Sequence, residues 1–258
     1  MRVFALAATT LVVCATGAAA QDLAGHIAAG DAARCQRNAT TALTHYRAAL
    51  ALDSGNYDAN WKASRVLVDL GLALPDAQRA RRDSLYADAR ALAERSVRAN
   101  ANGADGHYMV AVSIGRVALT LGARQRVRYA RVIRDEALRA TELNARHDGA
   151  LHVLGRWNAE IQRLPGVTKF FAKTFLGASV FNEATWENAD QYFTRAVNID
   201  PQNLDHHLDL AEALVDMDRP ADARTHLERV AQLPLGCDPQ DPVYKQQAAA
   251  LLQRVCRP

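Results

Sequence analysis

The 258 residues carry 31 basic and 28 acidic side chains, a formal net charge of +3, which excludes the strong basic excess of a dedicated nucleic-acid binder. The length suffices for one sizeable domain or a continuous repeat array. Only Lys62, Lys169, Lys173 and Lys245 are lysines, so 27 of the 31 basic residues are arginines; with abundant alanine this is the signature of a GC-rich bacterial genome, and it lowers the weight of any single Arg as a functional signal.

The chain opens "MRVFALAATTLVVCATGAAA", one Arg before an apolar run of about a dozen residues that ends in Ala18-Ala19-Ala20. That order predicts a secretory signal peptide over 1–20, cleaved between Ala20 and Gln21, and the run is too short for a span of about 20 apolar residues. Cys14 in "LVVC" follows a bulky Val13 where a lipoprotein site wants a small residue. Residues 21–258 are expected to form one helical domain, periplasmic or secreted, with no transmembrane segment.

Apolar periodicity predicts helices near 22–36, 39–52, 57–71, 76–100, 104–121, 124–144, 148–163, 184–199, 204–217, 219–232 and 242–255. Turn signals separate them at Ser54-Gly55-Asn56, Asn102-Gly103, Asp200-Pro201-Gln202-Asn203 and Asp218-Arg219-Pro220. No alternating pattern suggests a strand. Insertions are expected near 72–83 ("LALPDAQRARRD") and 164–183 ("LPGVTKFFAKTFLGASVF").

A repeat underlies these helices. In "ENADQYFTRAVNIDP", Ala189, Phe193, Ala196 and Pro201 stand at offsets 0, 4, 7 and 12, the pattern of the second helix of a tetratricopeptide repeat: small residues allow close helix contact, the aromatic fills the groove, and Pro stops the helix. The offsets recur at Ala42/Tyr46/Ala49/Ser54, Ala89/Ala93/Ser96/Ala101, Ile133/Ala137/Ala140/Ala145 and Ala223/Leu227/Val230/Leu235. First helices place Ser64, Ala111, Gly155 and Ala211 at the eighth position, where the partner helix needs a small residue. The fold class expected is an all-α solenoid of antiparallel helix pairs, about five repeats plus a C-terminal helix.

With these residues laid out, the stretch from about Ala89 to Leu233 resembles the tetratricopeptide-like domain of the regulator of microtubule dynamics family and its bacterial relatives. The resemblance rests on "HYMVAVSIGRVALTLGARQRVRYA", on "LHVLGRWNAEI" and on the insertion leading into "ENADQYFTRAVNIDP". Family members usually carry a Trp soon after the LGRW helix, where this chain has "LPGVTKFF". The resemblance implies an adaptor-like helical domain without known catalysis.

Chemistry is sparse. There is no HExxH, CxxC, clustered carboxylate ligand set, glycine-rich phosphate loop or GxSxG elbow, so neither an enzyme, a cofactor nor a metal site is expected. His206-His207 and the His147/His152 pair are read as packed or solvated. Stacked first helices instead create a concave surface. The register assigns to it Trp61, Arg65 and Asp69; Tyr108, Val112 and Arg116; His152, Arg156 and Glu160; and Leu208, Glu212 and Asp216, while Trp157 falls in the core.

Groove arginines with aromatic neighbours would suit an anionic ligand with apolar parts. The alternative is that Arg65 pairs with Asp69, and Arg156 with Glu160, one helical turn away. Two cationic runs, Arg124/Arg126/Arg128/Arg131/Arg134 and Arg79/Arg81/Arg82, read as solvated helix faces. Three cysteines follow the signal segment, Cys35, Cys237 and Cys256, enough for one disulfide and one leftover thiol. The helix expected between Cys237 and Cys256 separates that pair beyond bonding reach.

The function expected is a non-enzymatic binding or adaptor module of the bacterial envelope holding a peptide or protein partner in the groove. Alternatives are a binder of lipid or a small anion, using the groove arginines and the apolar face of Phe170, Phe171 and Phe175, and a structural scaffold of undetermined oligomeric state.

Overall fold

The computed structural model describes residues 9–118, 123–166 and 179–256, with side chains from residue 21 onward except at 123 and 124. Among the described residues there are eleven α-helices and no strand: α1 (Thr9–Cys35), α2 (Ala39–Leu52), α3 (Tyr57–Leu72), α4 (Arg79–Ala99), α5 (Ala104–Ala118), α6 (Ala123–Leu143), α7 (Asp148–Arg163), α8 (Trp186–Ile199), α9 (Leu204–Asp216), α10 (Pro220–Gln232) and α11 (Asp241–Val255). No described helix is long and apolar enough to cross a membrane. Successive helices pair, and α3, α5, α7 and α9 stack side by side as the inner layer of a tetratricopeptide-like solenoid.

One turn recurs between repeats, and its chemistry explains where the helices stop and start. Asp53, Asn100, Asn144 and Asp200 each accept, through the side chain, the backbone N–H two residues on: Gly55 at 2.9 Å, Asn102 at 3.0 Å, Arg146 at 3.0 Å and Gln202 at 3.1 Å. Three residues after Asp53, Asn144 and Asp200, the residues Asn56, His147 and Asn203 cap the next helix by accepting from Ala59, Ala150 and both Asp205 and His206. The fourth residue of three first helices then reaches back to the same turn: Asn60 Nδ2, His107 Nε2 and His207 Nε2 donate to the carbonyls of Ser54, Ala101 and Pro201 at 3.0, 3.0 and 3.2 Å. His207 is thus a repeat anchor, and burial, reinforced by His226, pushes its pKa down to about 4.

The expected packing register holds. Ala42, Tyr46 and Ala49, then Ala89, Ala93 and Ser96, then Ala137 and Ala140, then Ala189, Phe193 and Ala196, then Ala223, Leu227 and Val230, are all buried, as are Ser64, Ala111 and Ala211. Gly155 is required: a Cβ there would sit 2.6 Å from the Phe193 ring. Trp157 lies in the core as expected and donates its indole N–H to the Ala130 carbonyl at 2.7 Å.

The segment 72–83, expected as an insertion, holds the connection from α3 to α4 with one 3-10 turn, Asp76–Gln78, and α4 begins at Arg79; Arg79, Arg81 and Arg82 form its first turn and are held by Asp83, Gln78 and Asp76. Helix α1 begins at Thr9, earlier than the expected 22. In the cationic run on α6, Arg126, Arg128 and Arg131 are exposed, while Arg134 contacts Asp135 and Glu183 and lies over Trp157.

The two ends of the array meet. Cys35 at the end of α1 forms a disulfide with Cys237 in the α10–α11 connection, closing 202 residues of chain, and Cys256 is free and exposed. Arg34 contacts Asp238 at 3.6 Å, and Arg37 donates to the Gly236 carbonyl at 3.1 Å. The concave face is therefore bounded at both ends by covalently joined elements.

Candidate functional site

The inner helices present two unlike walls to the concavity. On α3 and α5, Arg65 is surrounded by protein yet has no ion pair among the described residues. Burial alone would lower its pKa; Tyr108 and the carboxylates of Asp69, Asp238 and Asp148 around it more than offset that. The expected Arg65–Asp69 pair is not formed, because Asp69 is taken by Arg34 from α1 at 3.3 Å. Burial dominates Asp69, aided by Asp238, and lifts its pKa to about 6 despite Arg34.

Tyr108 packs its ring against Gly149 and lies 4.8 Å from His147, with burial raising the phenol's pKa. Trp61 donates its indole N–H to Asp58 at 3.1 Å, with the Lys62 ammonium 5.4 Å from its ring. Arg116, likewise without an ion pair among the described residues, lines a cleft of about 650 Å³ with Tyr86, Arg79 and Arg82. Tyr244 of α11 packs, partly buried, against the core around Phe193 and Leu208; burial, then Asp205 and Asp238, raise its pKa, while Arg116 acts to lower it.

On α7 and α9 the charges are mutually engaged. Arg156 pairs with Asp209 across the helices at 3.2 Å, not with Glu160 as expected, because Arg163 takes Glu160 at 2.8 Å. Arg163 also reaches Asp216 at 2.7 Å and Glu212 at 3.9 Å. Glu212 is pushed up by burial and by Asp209. Leu208, expected in the groove, is instead buried in the core with Phe193, since an apolar side chain gains by leaving water. The groove face of α9 is carried by Asp205, Asp209, Glu212 and Asp216, at the i, i+4, i+7 and i+11 spacing of one helical stripe.

His152, expected to face the groove, is 6% exposed between α7 and α9. Its Nδ1 lies 3.0 Å from His206 Nδ1, and His206 Nε2 lies 2.9 Å from Asp148. On its other side, His152 Nε2 lies 3.4 Å from Asp205 and 3.1 Å from Asp209. Burial would lower the His152 pKa, but the charges of Asp205 and Asp209 raise it on balance; Asp205 is raised by burial and by Asp209, whereas Asp209 is held well below the carboxylate range, Arg156 and His152 outweighing its burial. His147 caps α7 and does not pair with His152.

Of the expected site residues, Trp61, Arg65, Tyr108 and Arg116 fall on the first wall, and His152, Arg156, Glu160 and Glu212 on the second. Phe170, Phe171 and Phe175 lie outside the described residues. The residues missed by sequence reasoning are Arg34, which takes Asp69 from the neighbouring α1, Asp238, which meets Arg34 where the ends of the array join, and Asp205 and Asp209, whose i,i+4 spacing in "LDHHLDLAE" is their one local signal.

The family described as "Regulator of microtubule dynamics protein 1-3" matches residues 26–255. The chain is 24% identical over 159 residues to regulator of microtubule dynamics protein 1 of Bos taurus and 23% identical to that of Pongo abelii, in each case over 62% of this chain and 48% of the relative. It thus spans about half the length of these relatives. Among solved structures it is similar to TTC0263, a tetratricopeptide repeat protein of Thermus thermophilus, with a TM-score of 0.64 at 16% identity over 90% of this chain and 99% of that one. It is also similar to pilF of Pseudomonas aeruginosa, with a TM-score of 0.53 at 13% identity over 93% and 94% of the two chains. At these identities the structural likeness speaks for the solenoid fold.

Proposed function

The chain belongs to the regulator of microtubule dynamics protein 1-3 family, and on that premise we propose that it is a non-enzymatic adaptor whose concave face holds an acidic peptide segment of a partner protein. The observation that carries this reading is Arg65, lodged in the concavity beside Tyr108 without a carboxylate of its own. A guanidinium left unpaired offers paired donors to an incoming carboxylate, and Tyr108 and Trp61 supply aromatic surface to adjacent apolar groups. Arg116 extends the same cationic track toward the 650 Å³ cleft.

Export from the cytoplasm is part of the proposal. The order of charged, apolar and small residues over 1–20 supports it, and so does the Cys35–Cys237 disulfide, which persists in an oxidising compartment. The microtubule role in the relatives' name is not carried over, since this chain matches less than half of their length.

The experiment is selection of a displayed random peptide library on residues 21–258, followed by calorimetry with the strongest peptide. Enrichment of Asp and Glu, with binding abolished by Arg65→Glu, is the expected result. Peptides without acidic residues, or binding indifferent to Arg65→Glu, would overturn the reading.

A further inference from the structure

On the wall opposite Arg65, the geometry points to a divalent transition-metal site formed by His152 of α7 and by Asp205 and Asp209 of α9. One ligand atom from each lies within 4.8 Å of the others. His152 is 6% and Asp209 8% exposed. His152 Nε2 and Asp209 Oδ2 approach to 3.1 Å without the alignment of a hydrogen bond, and both atoms are buried with no hydrogen-bond partner. A buried imidazole nitrogen facing two carboxylates in this way calls for a positive charge between them, which a proton or a metal ion can supply.

The far side of the imidazole is already arranged as metal-ligating histidines require. Asp148, whose pKa is lowered as the His206 contact outweighs burial, accepts from His206 Nε2–H. In neutral His206 this leaves Nδ1 as an acceptor, so His152 donates Nδ1–H to it across 3.0 Å. Once a metal ion displaces the proton from His152 Nε2, the lone pair of that nitrogen is directed between Asp205 and Asp209. A ligand histidine whose other nitrogen is fixed by a second residue, itself fixed by a carboxylate, is the usual outer shell of a protein-bound metal. Arg156, 3.2 Å from Asp209, holds that carboxylate in place from outside.

One imidazole and two carboxylates suit zinc or a similar divalent ion, with ligand distances of about 2.0–2.2 Å. Ligand atoms around such an ion lie at most about 4.4 Å apart, so Asp205, whose side chain is 25% exposed, has to swing inward by a fraction of an ångström. Water or a ligand group would complete the coordination. Charge favours the occupant: Asp148, Asp205, Asp209, Glu212 and Asp216 crowd this wall against Arg156 and Arg163.

The test is calorimetric titration of zinc chloride into untagged, chelator-treated residues 21–258, with cobalt(II) absorption as a second readout. The expected result is one ion per chain in wild type, at least tenfold weaker binding in Asp205→Asn and His152→Gln, and no change in His26→Gln, which removes the separate His26/His45 pair. Circular dichroism and thermal unfolding check the fold of each variant. Asp205→Asn touches the least buried of the three ligands and keeps the test meaningful if His152→Gln unfolds. No stoichiometric binding at roughly 100 μM zinc, or binding equal in wild type and a folded Asp205→Asn variant, would overturn the proposal.

Discussion

The α3–α5 wall and the α7–α9 wall occupy equivalent places in the repeat, yet one leaves its arginines unpaired and the other engages its arginines across the helix boundary. Arg65 has Asp69 one turn away and does not bind it, because α1 supplies Arg34. Arg156 and Arg163, one turn and three residues from Glu160 respectively, draw on α9 for Asp209, Glu212 and Asp216. Shared repeat geometry therefore does not fix the role of a position; its neighbours in the next helix do. The first wall has capacity left for a partner, and the second uses its charges to hold two helices together.

The largest effect should come from the clasp that ties α1 to the α10–α11 connection. By loop-closure entropy, removing a crosslink over 202 residues costs about 5 kcal/mol, so Cys35→Ser/Cys237→Ser should unfold about 10–20 °C lower in a thermal melt. An unchanged midpoint would show that the ends of the array hold without the crosslink, through Arg34–Asp238 and Arg37–Gly236.

Acid should act next. The His207 pKa is depressed to about 4 in the fold against about 6.5 unfolded. The unfolded chain therefore binds the extra proton between those values. The stability from keeping His207 neutral is present above pH 6.5 and falls by roughly 3 kcal/mol as pH drops through 6.5 to 4. Asp69, raised to about 6, acts with the opposite sign, losing stability as pH rises from 3.8 to 6. It is common to wild type and His207→Asn, so the difference between their pH–stability curves isolates the histidine. Asn60 performs the same anchoring bond in an earlier repeat, so the variant should match wild type at neutral pH and be less acid-sensitive. Parallel curves would assign the acid response elsewhere.

Arg156→Ala should cost about 2–3 kcal/mol in urea unfolding, below the roughly 3–5 of a fully buried pair because Arg156 is 44% exposed while Asp209 is not. Arg65→Ala breaks no ion pair and should cost about 1 kcal/mol, the centre of the range for point substitutions. Equal costs for the two would erase the distinction between the walls.

The sequence made the solenoid legible because helix periodicity, Asx turns and small-residue offsets are local and repeat: the second-helix triplets and Gly155 under Phe193 all fall where the spacing puts them. The groove was half legible. Register puts Trp61, Arg65, Tyr108 and Arg116 on first helices, but it does not give the partner of each arginine: Asp69 and Glu160 are nearest in sequence to Arg65 and Arg156, yet Arg34 and Arg163 take them in space. Leu208 was misplaced because register alone ranks it with Glu212, whereas burial sends it inward and turns Asp205 and Asp209 toward His152 of α7. The Cys35–Cys237 clasp had no local signal beyond the exclusion of Cys237–Cys256.

The most direct measurement is the affinity of one selected acidic peptide, at fixed salt, for wild type, Arg65→Ala and Arg163→Ala. A loss of at least tenfold in Arg65→Ala, about 1.4 kcal/mol, with Arg163→Ala within twofold of wild type, is what an unpaired first wall and an engaged second wall predict. Equal losses, or a larger loss in Arg163→Ala, would contradict that division of the groove.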